Sequence, residues 1–344
     1  MLVVFSITST TTLAATANAF SEEKVIVYNW TNYLPPSVLE AFTQETGIKV
    51  EYSTYSSSEI MYTRLKLLKG RGYDVIAPSS VLVARMQKEG LLQPLDHRLL
   101  PNLKHLDPAL MDQAFDPLNT YSVPYLWGST GIVVNTDKIS QPIAHWADLW
   151  QKQWRDQLLL TDDMREIFHI ALKANGQSTN ATDPDTIKHA YDRLSALMPN
   201  VKRIAANEPE QAFISGEINI GVLWSGDAFK AHQGNPKIQY IYPQEGASLW
   251  VDNFAIPAKS NNKLNAHRFI DYMLRPEVAA LCVKELGYAS ANLSARALIN
   301  KDLLDNPIIF PPDTVLKQAE FQKDVDEATQ LYRLYWEKLK SGRL

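Results

Sequence analysis

Cysteine is almost missing from this chain. Its 344 residues include one, Cys282, so no internal disulfide can form. That cysteine lies in "VAALCVKELG", a helix-like apolar run, and reads as a small core residue. It has no local signature of a catalytic nucleophile. A basic excess is also missing: 34 Lys and Arg face 38 Asp and Glu, for a net charge of −4. This balance argues against a nucleic-acid binder and is compatible with a cationic ligand. Beyond the first twenty residues no apolar run is long enough to span a bilayer. The phosphate-cradling G-x-x-x-x-G-K-[ST] loop, the dinucleotide G-x-G-x-x-G turn and the G-x-S-x-G nucleophile elbow are all absent. The seven histidines show no close metal-binding spacing. The expectation is therefore a protein with no metal and no cofactor.

The N-terminus, "MLVVFSITSTTTLAATANAF", carries no charge and includes Ala17-Asn18-Ala19. This is the A-x-A pattern of a secretory signal, although the usual basic start is missing. Cleavage after Ala19 would place a soluble mature protein, from Phe20, outside the cytoplasm. Hydrophobic residues at 45% and charged residues at 21% fit an ordinary soluble protein. The length suggests two lobes. "KVIVYNW", "PPSVLEAFTQETG", "IKVEYST", "EIMYTRLKLLKGRG", "YDVIAPS" and "VLVARMQKEG" alternate as strand and helix, which predicts a parallel sheet with covering helices. The rhythm pauses from Leu92 to Tyr121. It resumes in "GIVVNT", "QLLLTDD", "VKRIAA", "INIGVLWSG" and "SLWVDNFAIPA". A last helix is predicted from Asp324 to Lys340. No internal repeat, low-complexity segment or linker is seen, so the chain is expected to cross between its lobes more than once.

The stretch "LLLTDDMREIFHIAL", Leu158 to Leu172, places acids where a buried strand hands over to a helix. Asp is a preferred N-cap, and Asp163 to Glu166 has capping-box spacing. On this segment alone, capping and ligand holding both stay open. Elsewhere aromatic rings stand beside acids at strand ends: Trp30 and Tyr33 in "YNWTNY", Trp224 and Asp227 in "VLWSGD", Trp250 and Asp252 in "LWVDN". Ligands of open α/β sheets bind outside the carboxyl ends of strands, so these groups are expected to converge. Trp127, Trp146, Trp150, Trp154 and Trp336 are expected to be structural. A glycosidase pair would have to flank a bond, which two acids on one helical turn do poorly. Aromatic faces with several acids suit a flexible apolar chain bearing separated ammonium groups, as in aliphatic polyamines.

On longer motifs the chain resembles the periplasmic spermidine/putrescine-binding proteins, receptors of polyamine ABC importers. The resemblance runs from about Lys24 to the C-terminus. It rests on "VYNWTNYLPP", "ETGIKVEYSTYSSSEIMYTRLK", "YDVIAPSS", "YSVPYLWGSTGIVVN", "WADLW", "LLLTDDMREIF", "GVLWSGDAF", "LWVDNFAIP", "LRPEVA", "LGYASANLSAR" and "FQKDV". It implies an α/β, two-lobe periplasmic-binding-protein fold of type II, with mixed sheets and a hinged ligand cleft between the lobes. It implies lobe 1 at residues 20–131 plus 252–298, and lobe 2 at 132–251 plus 299–344. It implies no enzyme activity, a polyamine ligand, a membrane permease with a cytoplasmic ATPase as partner, a periplasmic location and a monomer. Two rival readings are a polyamine sensor docking on a membrane signalling protein and a secreted hydrolase.

Motif by motif, the resemblance implies a ligand site of Trp30, Thr31, Asn32, Tyr33, Ser79, Asp163, Glu166, Trp224, Asp227, Trp250, Asp252, Tyr288 and Gln322. Asp252 and Gln322 are expected at one terminal ammonium, Glu166 at the inner amine and Asp163 at the far end. Trp30, Trp224, Trp250 and Tyr288 are expected to sandwich the methylenes, while Asp162 or Thr161 caps the helix. Three positions depart from the spermidine-type pattern, which has Glu at Asn32, Tyr at Val81 and Ser at Asp227. "WSGD" looks like the putrescine-preferring branch.

Overall fold

Short strands and amphipathic helices alternate from Lys24 to Lys88, as the periodicity requires. The computed structural model describes residues 23–205 and 207–342. The expected signal segment and its cleavage site lie outside these residues. The first lobe opens with β1 (Lys24–Trp30), α1 (Pro36–Thr46), β2 (Lys49–Tyr55), α2 (Ser58–Leu67), β3 (Val75–Ile76) and α3 (Ser80–Lys88). α1 starts on a proline, whose missing N–H is no loss there, and stops at Gly47, which takes φ 72° at no steric cost. A run of single 3-10 turns leads to β4 (Ser122–Asn135).

The second lobe follows with β5 (Leu158–Thr161), α4 (Met164–Ala174), α5 (Pro184–Leu197), β6 (Val201–Ala205), α6 (Pro209–Ile214), β7 (Ile220–Trp224), α7 (Ser225–Gly234) and β8 (Ile238–Ile241). The chain returns through β9 (Ser248–Ala255) to α8 (Lys263–Met273), α9 (Pro276–Leu286) and β10 (Ala289–Ser290) of the first lobe. It crosses back for α10 (Lys301–Leu304), α11 (Asp313–Leu316), β11 (Glu320–Phe321) and α12 (Ala328–Ser341). The last helix thus begins four residues later than its apolar spacing predicts. Asp324 and Asp326 of the preceding segment are instead engaged by Arg85 and Lys88 of α3.

The strands run in the order β2-β1-β3-β9-β4-β7-β5-β6, with β8 and β10 also paired to β4 and β11 to β9. Outer pairs β1–β2, β1–β3, β5–β6 and β5–β7 are parallel, as expected. The centre is not: β4 and β9 run antiparallel from Ser122↔Ala255 to Thr130↔Ser248. β4 is also longer than the "GIVVNT" reading, because pairing begins at Ser122 and absorbs Pro124 at a register shift. All fourteen of its residues are buried, so it carries no alternation for a sequence reading to detect.

These two strands tie the lobes together. On one side Val25, Val27, Phe42, Phe254 and Phe269 form a core. On the other Ile132, Leu158, Leu160, Phe168 and Trp336 form a second. Two cores joined through long shared strands give the two-lobe, type II α/β architecture, with a cleft between the lobes and a hinge crossed more than once.

Candidate functional site

All thirteen residues of the expected site line a single cavity of about 620 Å³, counted to its open mouth. The strand ends deliver most of them. Trp30 closes β1 and is followed by Thr31, Asn32 and Tyr33; Trp224 closes β7 and Asp227 sits in the first turn of α7. Trp250 and Asp252 alternate with buried neighbours inside β9, and Ser79 stands at the N-cap position of α3 without a side-chain capping bond. Asn32 holds φ 55°, a left-handed turn conformation that Asn tolerates better than most residues. One lining residue was not anticipated, Ser58, the first residue of α2. The Ser-rich "SSSE" marks a helix start, which made it readable as punctuation alone.

Aromatic rings form the walls. Trp30 is fixed by its Nε1–H donating to Ala77 O at 3.1 Å and meets Trp224 edge-on at 6.3 Å. Tyr288 packs edge-on against Tyr33 at 5.1 Å and Trp250 at 5.4 Å. Two glycines make this possible. A Cβ on Gly226 would come within 2.3 Å of the Tyr288 ring, and one on Gly128 within 2.6 Å of the Trp250 ring. The glycine of "WSGD" therefore seats a ring from another segment. Trp146, Trp154 and Trp336 are buried in the second-lobe core, with Trp150 packed against it, and Trp127 is buried in a third cluster that draws on both lobes. Trp250 Nε1 has no hydrogen-bond partner among the described residues, so its ring is held by packing. Trp250→Leu keeps an apolar filler and removes the π-face. It is expected to cost about 0.5–2 kcal/mol of cation binding. Calorimetric titration checks this; undiminished affinity with a native-like fold would make Trp250 packing alone.

Four carboxyls face these rings, and each is held above its ordinary pKa range. Asp163 is itself the N-cap of α4, correcting the expectation that Asp162 or Thr161 serves. Its Oδ1 accepts from Arg165 N at 2.9 Å and Glu166 N at 3.1 Å. Capping and cavity lining are thus combined in one side chain. Burial raises its pKa against the lowering effect of those two amides. Glu166 does not complete a capping box. Its Oε1 accepts from Gln322 Nε2 at 2.8 Å, and its Oε2 has no partner among the described residues. Burial, and next the charge of Asp163, push Glu166 up to about 8. Burial likewise pushes Asp227 and Asp252 up to about 7. A carboxylate among rings ionises readily only when a cation arrives to share its charge.

Native cations fill that role only in part: Arg165 acts to lower Asp163 and Glu166, and Lys230 to lower Asp227, yet all three stay raised. Arg165 is buried, but its guanidinium donates to Lys323 O at 3.0 Å and Thr179 O at 3.2 Å. It thereby anchors the segment that carries Gln322. Lys173 does the same through Glu320 at 2.9 Å. Gln322 is directed at Glu166 and at Ser248 Oγ, 3.0 Å away. At the rim Arg85 of α3 bonds Asp324 at 2.9 Å and Thr329 at 2.6 Å, joining first-lobe α3 to the start of α12. Among the described residues no group of three or more His, Cys, Asp or Glu is arranged to hold a metal ion. The cleft can therefore do one thing well: surround a narrow apolar chain and offer an acid wherever that chain carries positive charge.

Residues 37–311 match the bacterial extracellular solute-binding protein family. The spermidine/putrescine-binding periplasmic protein of Salmonella typhimurium is 44% identical over 95% of this chain and 94% of its own length. The putrescine-binding periplasmic protein PotF of Escherichia coli is 32% identical, over 94% of this chain and 93% of its own. A solved putative spermidine/putrescine ABC transporter protein from Listeria monocytogenes superimposes with a TM-score of 0.89 at 35% identity, covering 92% of this chain and 99% of that one. The chain belongs to the bacterial extracellular solute-binding proteins, in the group of spermidine/putrescine-binding periplasmic proteins.

Proposed function

We propose that this protein is an extracytoplasmic receptor that binds spermidine, putrescine or both in the interlobe cleft and delivers them to an ABC importer. The observation that carries this reading is the convergence of Asp163, Glu166, Asp227 and Asp252 with Trp30, Trp224, Trp250 and Tyr288 on one cavity. Ring faces pack methylenes and attract ammonium groups, and buried carboxylates accept charge-assisted hydrogen bonds. In this reading Asp252 receives one terminal ammonium, Glu166 the inner amine and Asp163 the far end; Gln322, expected beside Asp252, instead donates to Glu166 Oε1 at 2.8 Å. Lobe 1 comprises residues 20–131 with 252–298, and lobe 2 comprises 132–251 with 299–344. The receptor is exported by its first 19 residues and acts as a monomer. It docks on a membrane permease driven by a cytoplasmic ATPase, and it leaves its ligand chemically unchanged. A thermal-shift panel of putrescine, cadaverine, spermidine, norspermidine and spermine tests the reading. Ligands that bind the native state alone raise the melting temperature. No shift with any of them would overturn it, and so would recovery of a cleaved product.

The preference between two and three amines turns on Asn32 and Asp227. Asn32 offers a carbonyl oxygen, a neutral acceptor worth roughly half a charged one. Asp227 supplies a full charge from the opposite lobe, with Lys230 and Glu210 nearby. The site keeps its number of charges but places one elsewhere, which changes the amine spacing that fits. Asp227→Ser is expected to weaken putrescine more than spermidine, and Asn32→Glu to tilt the site towards spermidine. Competitive titration of both ligands measures this. An unchanged ratio in Asp227→Ser would reduce Asp227 to a first-turn acid of α7.

A further inference from the structure

The cleft does not end at Asp163. A second cavity, of about 470 Å³ counted to its open mouth, adjoins it and shares Ser58, Ser79, Asp163 and Gln322 as common walls. Its far side is formed by Val81 and Leu82 of α3 and by Glu59 and Tyr62 of α2. We propose that this side cavity lodges one further aminopropyl arm, with Glu59 receiving its ammonium, so that the site accepts a linear tetraamine as well as a triamine. The proposal rests on the polyamine reading of the main cleft.

Three features support it. The first is composition: apolar Val81 and Leu82 and the ring of Tyr62 suit methylenes, and an acid stands beyond them. Acids then follow one another along the whole path, from Asp252 through Glu166 and Asp163 to Glu59. The second is the state of the cations on the same wall. Arg85 is committed to Asp324 and Thr329, and Arg165 donates to backbone carbonyls while its charge is shared with Asp163 and Glu166. Arg333 of α12 faces Glu59 and is the one guanidinium an incoming ammonium must share that acid with. The third is charge. Burial, and next the charge of Asp163, hold Glu59 up to about 7, although it is only half-buried and Asp163, Glu166 and Asp252 of the main cleft are buried more fully.

Val81 lines the side cavity but not the main one, so a larger side chain there would fill the space the arm needs and leave the main cleft as it is. The test is competitive calorimetric titration of spermidine and spermine against wild type, Val81→Tyr and Glu59→Gln. Wild type is expected to bind the two ligands within about tenfold of each other. Val81→Tyr is expected to weaken spermine about tenfold or more while spermidine stays within about threefold, a difference of at least half a decade in the ratio. Glu59→Gln, isosteric and at a helix start, is expected to weaken spermine about fivefold and spermidine far less. Spermidine binding with spermine more than about a hundredfold weaker in wild type would overturn the proposal. An unchanged ratio in both variants would overturn it too. Failure to bind any polyamine would instead bring down the reading of the main cleft, and this extension with it.

Discussion

Between pH 5.5 and pH 8, spermidine binding is expected to tighten by about a hundredfold or more, with protons released on binding. Glu166 is pushed up to about 8, and Asp227 and Asp252 to about 7. At pH 5.5 all three carry protons in the ligand-free cleft. An ammonium pairs with the carboxylate, so each contacted acid must ionise first. That requirement weakens binding about tenfold for every pH unit below the group's pKa. The ligand-free fold moves in the opposite sense. These acids bind protons more tightly in the native state than in the unfolded chain. Their stabilising contribution is complete below about pH 4, the ordinary carboxylate range. It is lost as pH rises towards about 8 for Glu166. Ligand-free protein should therefore melt lower at pH 8 than at pH 5.5, while added spermidine restores more stability at pH 8. Titrations in two buffers of different ionisation enthalpy count the protons released. A flat affinity across this range, with no proton release, would mean that the buried acids do not meet the ligand.

Glu166→Gln is expected to separate binding from stability. At pH 8 the variant should lose about 1.5–3 kcal/mol of spermidine binding, the range for a hydrogen bond to a charged group. It should also melt higher than wild type without ligand. The amide keeps an oxygen for Gln322 Nε2, which now bonds Glu166 Oε1 at 2.8 Å, and it removes a charge that burial disfavours. Opposite signs are what a binding acid produces, since the strain of burying it serves only the complex. Part of the proton release should disappear as well. Unchanged affinity would show that Glu166 belongs to the helix and not to the ligand.

Much of this was legible locally. Helix starts and stops at Pro36 and Gly47, the turn into α4 and the buried start of β5 depend on neighbours within a few residues. Periodicity and caps report such neighbours directly. Pairing of aromatic residue and acid in "VLWSGD" and "LWVDN" also follows from short stretches, and it was enough to suggest a cationic ligand, although Trp250 and Asp252 lie inside β9 and not at its end. Where local reading failed, the deciding partner was remote. β4 was shortened because strands buried on both faces lose their alternation, and the partner that buries them, β9, is over a hundred residues away. α12 was started too early because Arg85 and Lys88 draw Asp324 and Asp326 out of the helix.

The sequence by itself singled out aromatic residues and acids suited to a cationic ligand, since their chemistry is intrinsic, and the resemblance added Thr31, Asn32, Ser79, Tyr288 and Gln322 as candidates. Only the tertiary structure decided what they do together. It made Asp163 cap and cavity wall at once, because the amides of α4 and the open cleft lie on two sides of one carboxyl. It made Gly226 the seat of Tyr288, because backbone and ring come from segments sixty residues apart. It raised the pKa values of Glu166, Asp227 and Asp252, because desolvation depends on every atom packed around a group and not on the residues beside it in the chain. It also opened a second cavity beside Asp163, whose walls come from α2, α3, α4 and α12 and which no single stretch encodes.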